Sequence, residues 1–228
     1  MLYGYSGIIA DGALITVELA LLSVVVAVLI GLAAASAKLF GSRYLAVIAH
    51  VYTTLIRGIP DLVLMMLIFY GLQIGLNSFT EQVGWAQINI DPFVAGMLTI
   101  GFIYGAYYTE TFRGAFMAIP KGQLEAGVAY GFTPWQIFRI ILFPQMMRFA
   151  LPALSNNWQV ILKSTALVSI IGLADVVKAT QNAGKGTYHF FLFTIVAAVI
   201  YLILTTFSNL VFYWLEHRYA TGHRKAEL

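Results

Sequence analysis

Five long apolar runs dominate the chain, at about residues 13–37, 59–76, 93–112, 152–173 and 190–215. A helix rises about 1.5 Å per residue and a bilayer's hydrocarbon core is about 30 Å thick, so roughly 20 such residues cross it. The runs do not alternate apolar and polar positions, so they suit helices rather than the strands of a barrel. The expected fold class is therefore an all-α integral membrane bundle of five spans, forming one transmembrane domain over residues 1–228. Asp91-Pro92 reads as an N-cap followed by proline at the first helical position, and Pro60 and Pro152 are expected to start helices in the same way.

Between the third and fourth runs lies a long polar segment, about 113–151, with its own punctuation. Ala118-Ile119-Pro120-Lys121-Gly122 is a turn signal, and residues 123–130 suit a short helix. Gly131 can end that helix in the left-handed conformation, and Thr133-Pro134 can cap a second short helix that stops near Phe143, before Pro144. Two short helices joined by a glycine make a rigid knob. Two readings fit it: a docking element for a soluble partner, or an interfacial hairpin lying on the headgroups.

Composition agrees with the membrane reading. Hydrophobic residues make up 60% of the 228 and charged residues only 10%, against about a quarter charged in soluble domains. A net charge of +3 gives no ground for a nucleic-acid partner. The chain has no cysteine, which excludes disulfides, thiolate catalysis and Cys-based metal sites. The first apolar run has no basic region before it and is too long for a cleavable signal peptide.

The placement of the cations orients the bundle. Lys38, Arg43 and Arg57 follow the first run, and Arg113, Lys121, Arg139 and Arg148 follow the third. Arg218, Arg224 and Lys225 follow the fifth, whereas only Lys178 and Lys185 fall on the other side, with Lys163 inside a run. The positive-inside rule then puts the N-terminus outside and the C-terminus in the cytoplasm.

Polar groups inside spans are costly and need a reason. Asp61 stands in the first turn of the second span, where a carboxylate either complements the helix dipole or meets a cationic side chain in passage. Glu110 and Arg113 are spaced to share a helix face, as a local ion pair or as part of a gate. The fourth span carries Ser155, Asn156, Asn157, Gln159, Lys163, Ser164, Thr165 and Ser169, either as interhelical hydrogen-bond glue or as the lining of a path. Lys163 is placed near mid-membrane, lining the path or a subunit interface. Tyr104, Tyr107 and Tyr108 line the route or pack, Glu18 snorkels or caps, and Trp135, Trp158 and Trp214 mark boundaries.

Glu125-Ala126-Gly127, Gly131 and Ile141-Leu142-Phe143-Pro144 resemble the loop shared by ABC-importer permeases: Glu-Ala-Ala, three residues, Gly, nine residues, Ile, one residue, Leu-Pro. Gly127 and Phe143 depart from that pattern, which changes packing more than chemistry. Arg57-Gly58-Ile59-Pro60, Tyr107 to Gly114, Pro120-Lys121-Gly122-Gln123 and Leu162 to Leu167 are similar to the polar amino-acid permease subfamily, and within it to the Q-type permeases of histidine and lysine/arginine/ornithine importers. The resemblance spans about residues 10–216.

The resemblance implies a permease of the bacterial inner membrane, paired with a second, similar permease. Two ATPase subunits would hold the ATP and magnesium, so no cofactor is expected in this chain. A periplasmic binding protein would deliver the amino acid. Gln123, Glu125, Ala126, Gly127 and Gly131 would form the coupling helix against the ATPase. Asp61, Tyr107, Glu110, Lys163, Ser164 and Thr165 are the candidate substrate path, and an aspartate at 61, where the subfamily commonly has an apolar residue, favours basic substrates over glutamine or glutamate.

Other classes fit less well. The segment ending Gly184-Lys185-Gly186 lacks the first glycine and the hydroxyl residue of a nucleotide-binding loop, so the chain is not expected to hydrolyse ATP. His50, His189, His217 and His223 form no zinc-hydrolase motif. Ser6 of Gly4-Tyr5-Ser6-Gly7 falls before the first span, away from any intramembrane histidine. A secondary transporter would be expected to show internal repeats, and none is evident.

Overall fold

A computed structural model describes residues 2–219, and the regular structure in it is helical. Arg224, Lys225 and His223 lie outside the described residues. The elements are α1 (Ser6–Phe40), α2 (Arg43–Gly58), α3 (Asp61–Val83), α4 (Pro92–Met117), α5 (Lys121–Ala129), α6 (Pro134–Gln136), α7 (Phe143–Ser164), α8 (Val176–Thr187) and α9 (Phe190–Tyr219). A π-helical turn, Ile137–Leu142, joins α6 to α7, and a 3₁₀ stretch, Thr165–Ile171, continues α7.

Four described helical segments are long and apolar enough to cross a membrane: α1, α3, the continuous Pro134–Ile171 segment, and α9. The expected third span is α4, which has 26 residues but falls outside this set. Its sequence is diluted by glycine, threonine and tyrosine and by Glu110 and Arg113. The structure gives the physical reason. α4 is the central helix, packed on by α1, α2, α3 and α7, and a helix sheltered by protein can carry polar groups that a lipid-facing one cannot. At the other extreme, α9 buries only Phe193 and Ser208 among its described residues.

The α1–α4 contact is built from small side chains. α1 buries Thr16, Ala20, Ser23, Ala27, Gly31 and Ala35 along one face. A Cβ added at Gly31 would stand 2.6 Å from Tyr108 Cβ, and one at Gly101 would stand 2.5 Å from Val26 Cγ1. Within lipid, close approach of backbones supplies the dispersion contacts that hold helices together.

The structure corrects several boundaries. α1 begins at Ser6, so Ser6 is not outside the first helix. α2 and α8 occupy segments that hydropathy reads as connections, because helices of 16 and 12 residues are too short to register as spans. Pro60 is the N-cap of α3, and Asp61 is its first residue. Pro152 does not start a helix but lies inside α7, and the expected second short helix runs on without a break from Pro134. The π turn immediately precedes Phe143-Pro144, and a wider helical turn there accommodates a proline that lacks an N–H and crowds the preceding turn. Trp158, expected at a boundary, is half-buried against the core in mid-helix.

Asp91 and Thr133 are N-caps, as their sequence contexts predict. Asp91 Oδ1 accepts from Phe93 N and Val94 N, both at 3.0 Å. Thr133 and Gln136 form a reciprocal capping box.

Candidate functional site

The site grows from the break between α2 and α3. Ile59 is extended (φ −112°, ψ 138°), as the residue before a proline prefers. The bend leaves Arg57 at the end of α2 and Asp61 at the start of α3. Asp61 sits at the positive end of the α3 dipole.

Tyr104, buried on α4, reaches across to this point. Its hydroxyl donates to Asp61 Oδ2 at 2.5 Å and lies 2.7 Å from Ser164 Oγ. With the tyrosine proton committed to the carboxylate, Ser164 donates to the tyrosine oxygen. Three helices, α3, α4 and α7, are thereby tied together by one phenol.

The stripe continues along α4 at intervals of three residues. The Tyr107 ring lies 5.5 Å from that of Tyr104, and Arg57 Cζ stands 5.2 Å from the Tyr107 centroid, within cation–π range. Next comes Glu110, whose Oε1 accepts from Lys38 Nζ at 2.5 Å and whose Oε2 accepts from Arg113 Nε at 2.8 Å. Lys38 also donates to Thr53 Oγ1 at 2.6 Å. A cleft of about 540 Å³ opens beside these groups, lined by His50, Thr54 and Gly58 together with Lys38, Thr53, Arg57, Tyr107, Glu110 and Arg113.

The candidate path residues therefore separate. Asp61 and Ser164 meet through Tyr104, and Tyr107 stands beside them. Glu110 is held in the expected ion pair with Arg113 and in a second one with Lys38, so both its oxygens are engaged. Lys163 is exposed in the last turn of α7 and makes no ion pair among the described residues. Thr165 is fully buried; its hydroxyl donates to Leu162 O at 2.8 Å and lies 3.2 Å from Tyr201 Oη, so it packs rather than lines an opening. Part of the polar face of α7 is interhelical glue: Asn157 donates to Thr111 Oγ1 at 3.1 Å, and Gln159 donates to Asn209. Glu18 is exposed on α1.

Lys38 and Arg57 were absent from the candidate path. Arg57 carried a signal, since it stands four residues before Asp61 across a proline break. Lys38 carried none beyond its charge, because its partner is 72 residues away.

The segment after α4 forms a separate feature. Gly131 is left-handed (φ 77°), and Phe132 N donates back to Gly127 O at 3.0 Å, closing α5. Gly127 is the one buried residue of α5, and a Cβ there would stand 2.8 Å from Ile141 Cδ1. The glycine lets α5 lie close on the π turn. Gln123, Glu125 and Ala126 are exposed, as are the apolar Val128, Tyr130, Phe132 and Trp135.

The family described as binding-protein-dependent transport system inner membrane component matches residues 27–221. The chain belongs to this family. It is 64% identical over 228 residues, the whole of both chains, to the histidine/lysine/arginine/ornithine transport system permease protein HisQ of Escherichia coli K12. It is 38% identical over 208 residues to the nopaline transport system permease protein NocQ of Agrobacterium fabrum, covering 90% of this chain and 88% of that one. Among solved structures, an amino acid ABC transporter crystallised with histidines matches with a TM-score of 0.79 and 33% identity, over 94% of this chain and 95% of that one. The inward-facing methionine transporter MetNI shares the fold, at a TM-score of 0.71 and 18% identity over 96% of this chain and all of that one. In this membrane component, the Asp61–Tyr104–Ser164 group, the adjoining cleft and the exposed α5 are the features a transport function can use.

Proposed function

We propose that the chain is the permease subunit of an ATP-driven importer for basic amino acids: histidine, lysine, arginine and ornithine. The observation that carries this reading is the 64% identity to HisQ over the full length of both chains. The local chemistry supports it. Asp61 presents a carboxylate held by one phenolic hydrogen bond, a partner for a desolvated ammonium, imidazolium or guanidinium. A glutamine or glutamate importer has no need of that charge.

In this reading α4 is a fifth span, its polarity tolerated because helices surround it. The N-terminus is periplasmic and the C-terminus cytoplasmic. A second, similar permease completes the path, with Asp61, Tyr107 and Ser164 on this chain's side. Lys163 points out of the chain toward the partner permease. Two ATPase subunits bind ATP and magnesium, and a periplasmic binding protein delivers the amino acid. The exposed α5, around Glu125, docks on an ATPase; its buried Gly127 and the turn at Gly131 make α5 and the π turn one rigid lever. Closure of the ATPase pair moves the lever and turns the path outward, and hydrolysis resets it.

The test is a pull-down from detergent-solubilised membranes with this chain as bait and mass spectrometry as readout. Recovery of an ATPase together with a second, similar permease supports the reading. Absence of any ATPase, even after crosslinking through residues 122–135, would overturn it in favour of a secondary transporter.

A further inference from the structure

A basic amino acid carries an α-carboxylate as well as its cationic groups, and the site offers an anion-binding group that the Asp61 reading leaves unused. We infer that Arg57 receives the substrate's α-carboxylate while Asp61 receives its side-chain cation, with the Tyr107 ring as the floor between them. This rests on the reading of the chain as a basic amino-acid permease.

Of the Lys and Arg residues lining the cleft, Lys38 and Arg113 are both paired to Glu110. Arg57 is exposed and makes no ion pair among the described residues; its guanidinium rests on the Tyr107 ring. Among the described residues Asp61 makes no ion pair either, and its Oδ2 takes a hydrogen bond from Tyr104. Two opposite charges thus flank one aromatic pair, Tyr104 and Tyr107, without neutralising each other.

The backbone accounts for that separation. Arg57 and Asp61 are four residues apart, which on a continuous helix would bring them together as a pair. The extended Ile59 and Pro60 break the helix between them. A guanidinium stacked on an aromatic ring keeps its planar edge free, and that edge matches a carboxylate in bidentate geometry. The cleft beside it, lined by Arg57 and Tyr107 but not by Asp61, has a volume of about 540 Å³, in the range of small-molecule sites. A zwitterion with a distal cation complements this pattern of charges, whereas a simple diamine or a neutral amino acid complements half of it.

The experiment uses the assembled importer, with its second permease and ATPases but without the binding protein, in detergent and free of nucleotide. Equilibrium binding of labelled L-arginine is competed with agmatine, which lacks the carboxylate, and with citrulline, which lacks the side-chain charge. Wild type should prefer arginine to either by roughly 10- to 100-fold, the worth of one charge-assisted hydrogen-bonded contact. Arg57→Gln should abolish the preference over agmatine and keep that over citrulline; Asp61→Asn should do the reverse. Arg57→Lys, which keeps charge but loses the planar edge, should fall between. Intact assembly on size exclusion controls for misfolding. If Arg57→Gln assembles and still prefers arginine to agmatine as wild type does, the inference is wrong while the importer reading stands. If wild-type importer binds no basic amino acid, the importer reading and the inference fail together.

Discussion

Lys38 and Glu110 form an ion pair at 2.5 Å across the α1–α4 packing face, with the lysine side chain only 1% exposed. Arg113 holds the same carboxylate from its own helix and is 34% exposed. The two cations are thus unequal. Removing the sheltered lysine leaves Glu110 with only its wetter partner, whereas removing that wetter partner costs little. Lys38→Met should lower the stability of the purified chain by about 2 kcal/mol, the worth of a charge-assisted hydrogen bond, and Arg113→Gln by well under half of that. A Glu110→Gln, Lys38→Met double variant should recover much of the loss. Equal effects of the two single variants, followed by melting in detergent, would count against this division.

Tyr104→Phe removes the hydroxyl that joins α3, α4 and α7 and leaves the ring in place. Asp61 and Ser164 then lose a shared partner, at about 1–3 kcal/mol. Uptake of arginine at limiting concentration should drop about tenfold with the protein level in membranes unchanged. Unchanged uptake would show that the phenol neither orders Asp61 nor holds the helices.

Asp175 caps α8, outside the spanning helices, with Oδ1 accepting from Lys178 N at 2.9 Å while buried Oδ2 has no hydrogen-bond partner among the described residues. Burial pushes its carboxyl up from 3.8 to about 6. The folded state therefore holds the proton more tightly than the unfolded one, and its stability contribution is fullest below pH 3.8 and declines up to pH 6. Asp175→Asn keeps an acceptor for the cap but cannot ionise. The stability of wild type minus that of Asp175→Asn should fall between pH 4 and 6 and then level off. A difference that rises with pH would contradict the assignment.

Glu125 is exposed on α5, away from the buried Gly127 contact. Glu125→Lys should leave the fold and the assembly with the second permease intact while separating ATP hydrolysis from uptake. Wild-type uptake by this variant would remove α5 from the coupling role.

Much of the bundle was legible because its signals are local. α1, α4 and α9 each contain one of the long apolar runs, α3 and α7 hold the greater part of the other two, and the caps at Asp91 and Thr133 are set by adjacent residues. α2 and α8 were not legible as helices, since short amphipathic segments look like loops to a hydropathy argument. The Pro152 reading failed because a proline inside a helix and one at its start look alike in the sequence, and α7 runs on through Pro152. In the site, Glu110–Arg113 follows from helix spacing, whereas Lys38–Glu110 and Tyr104–Asp61 join residues 72 and 43 positions apart. Such partners are fixed by how α1, α3 and α4 cross, which composition does not encode locally.

ATP-driven import of basic amino acids can be measured as uptake of labelled arginine and histidine into proteoliposomes containing this chain, its second permease and the ATPase, with binding protein outside and ATP enclosed. Uptake should require this chain, enclosed ATP and the binding protein, and should exceed uptake of glutamine. Uptake driven by an ion gradient without ATP, or an equal rate for glutamine, would contradict it.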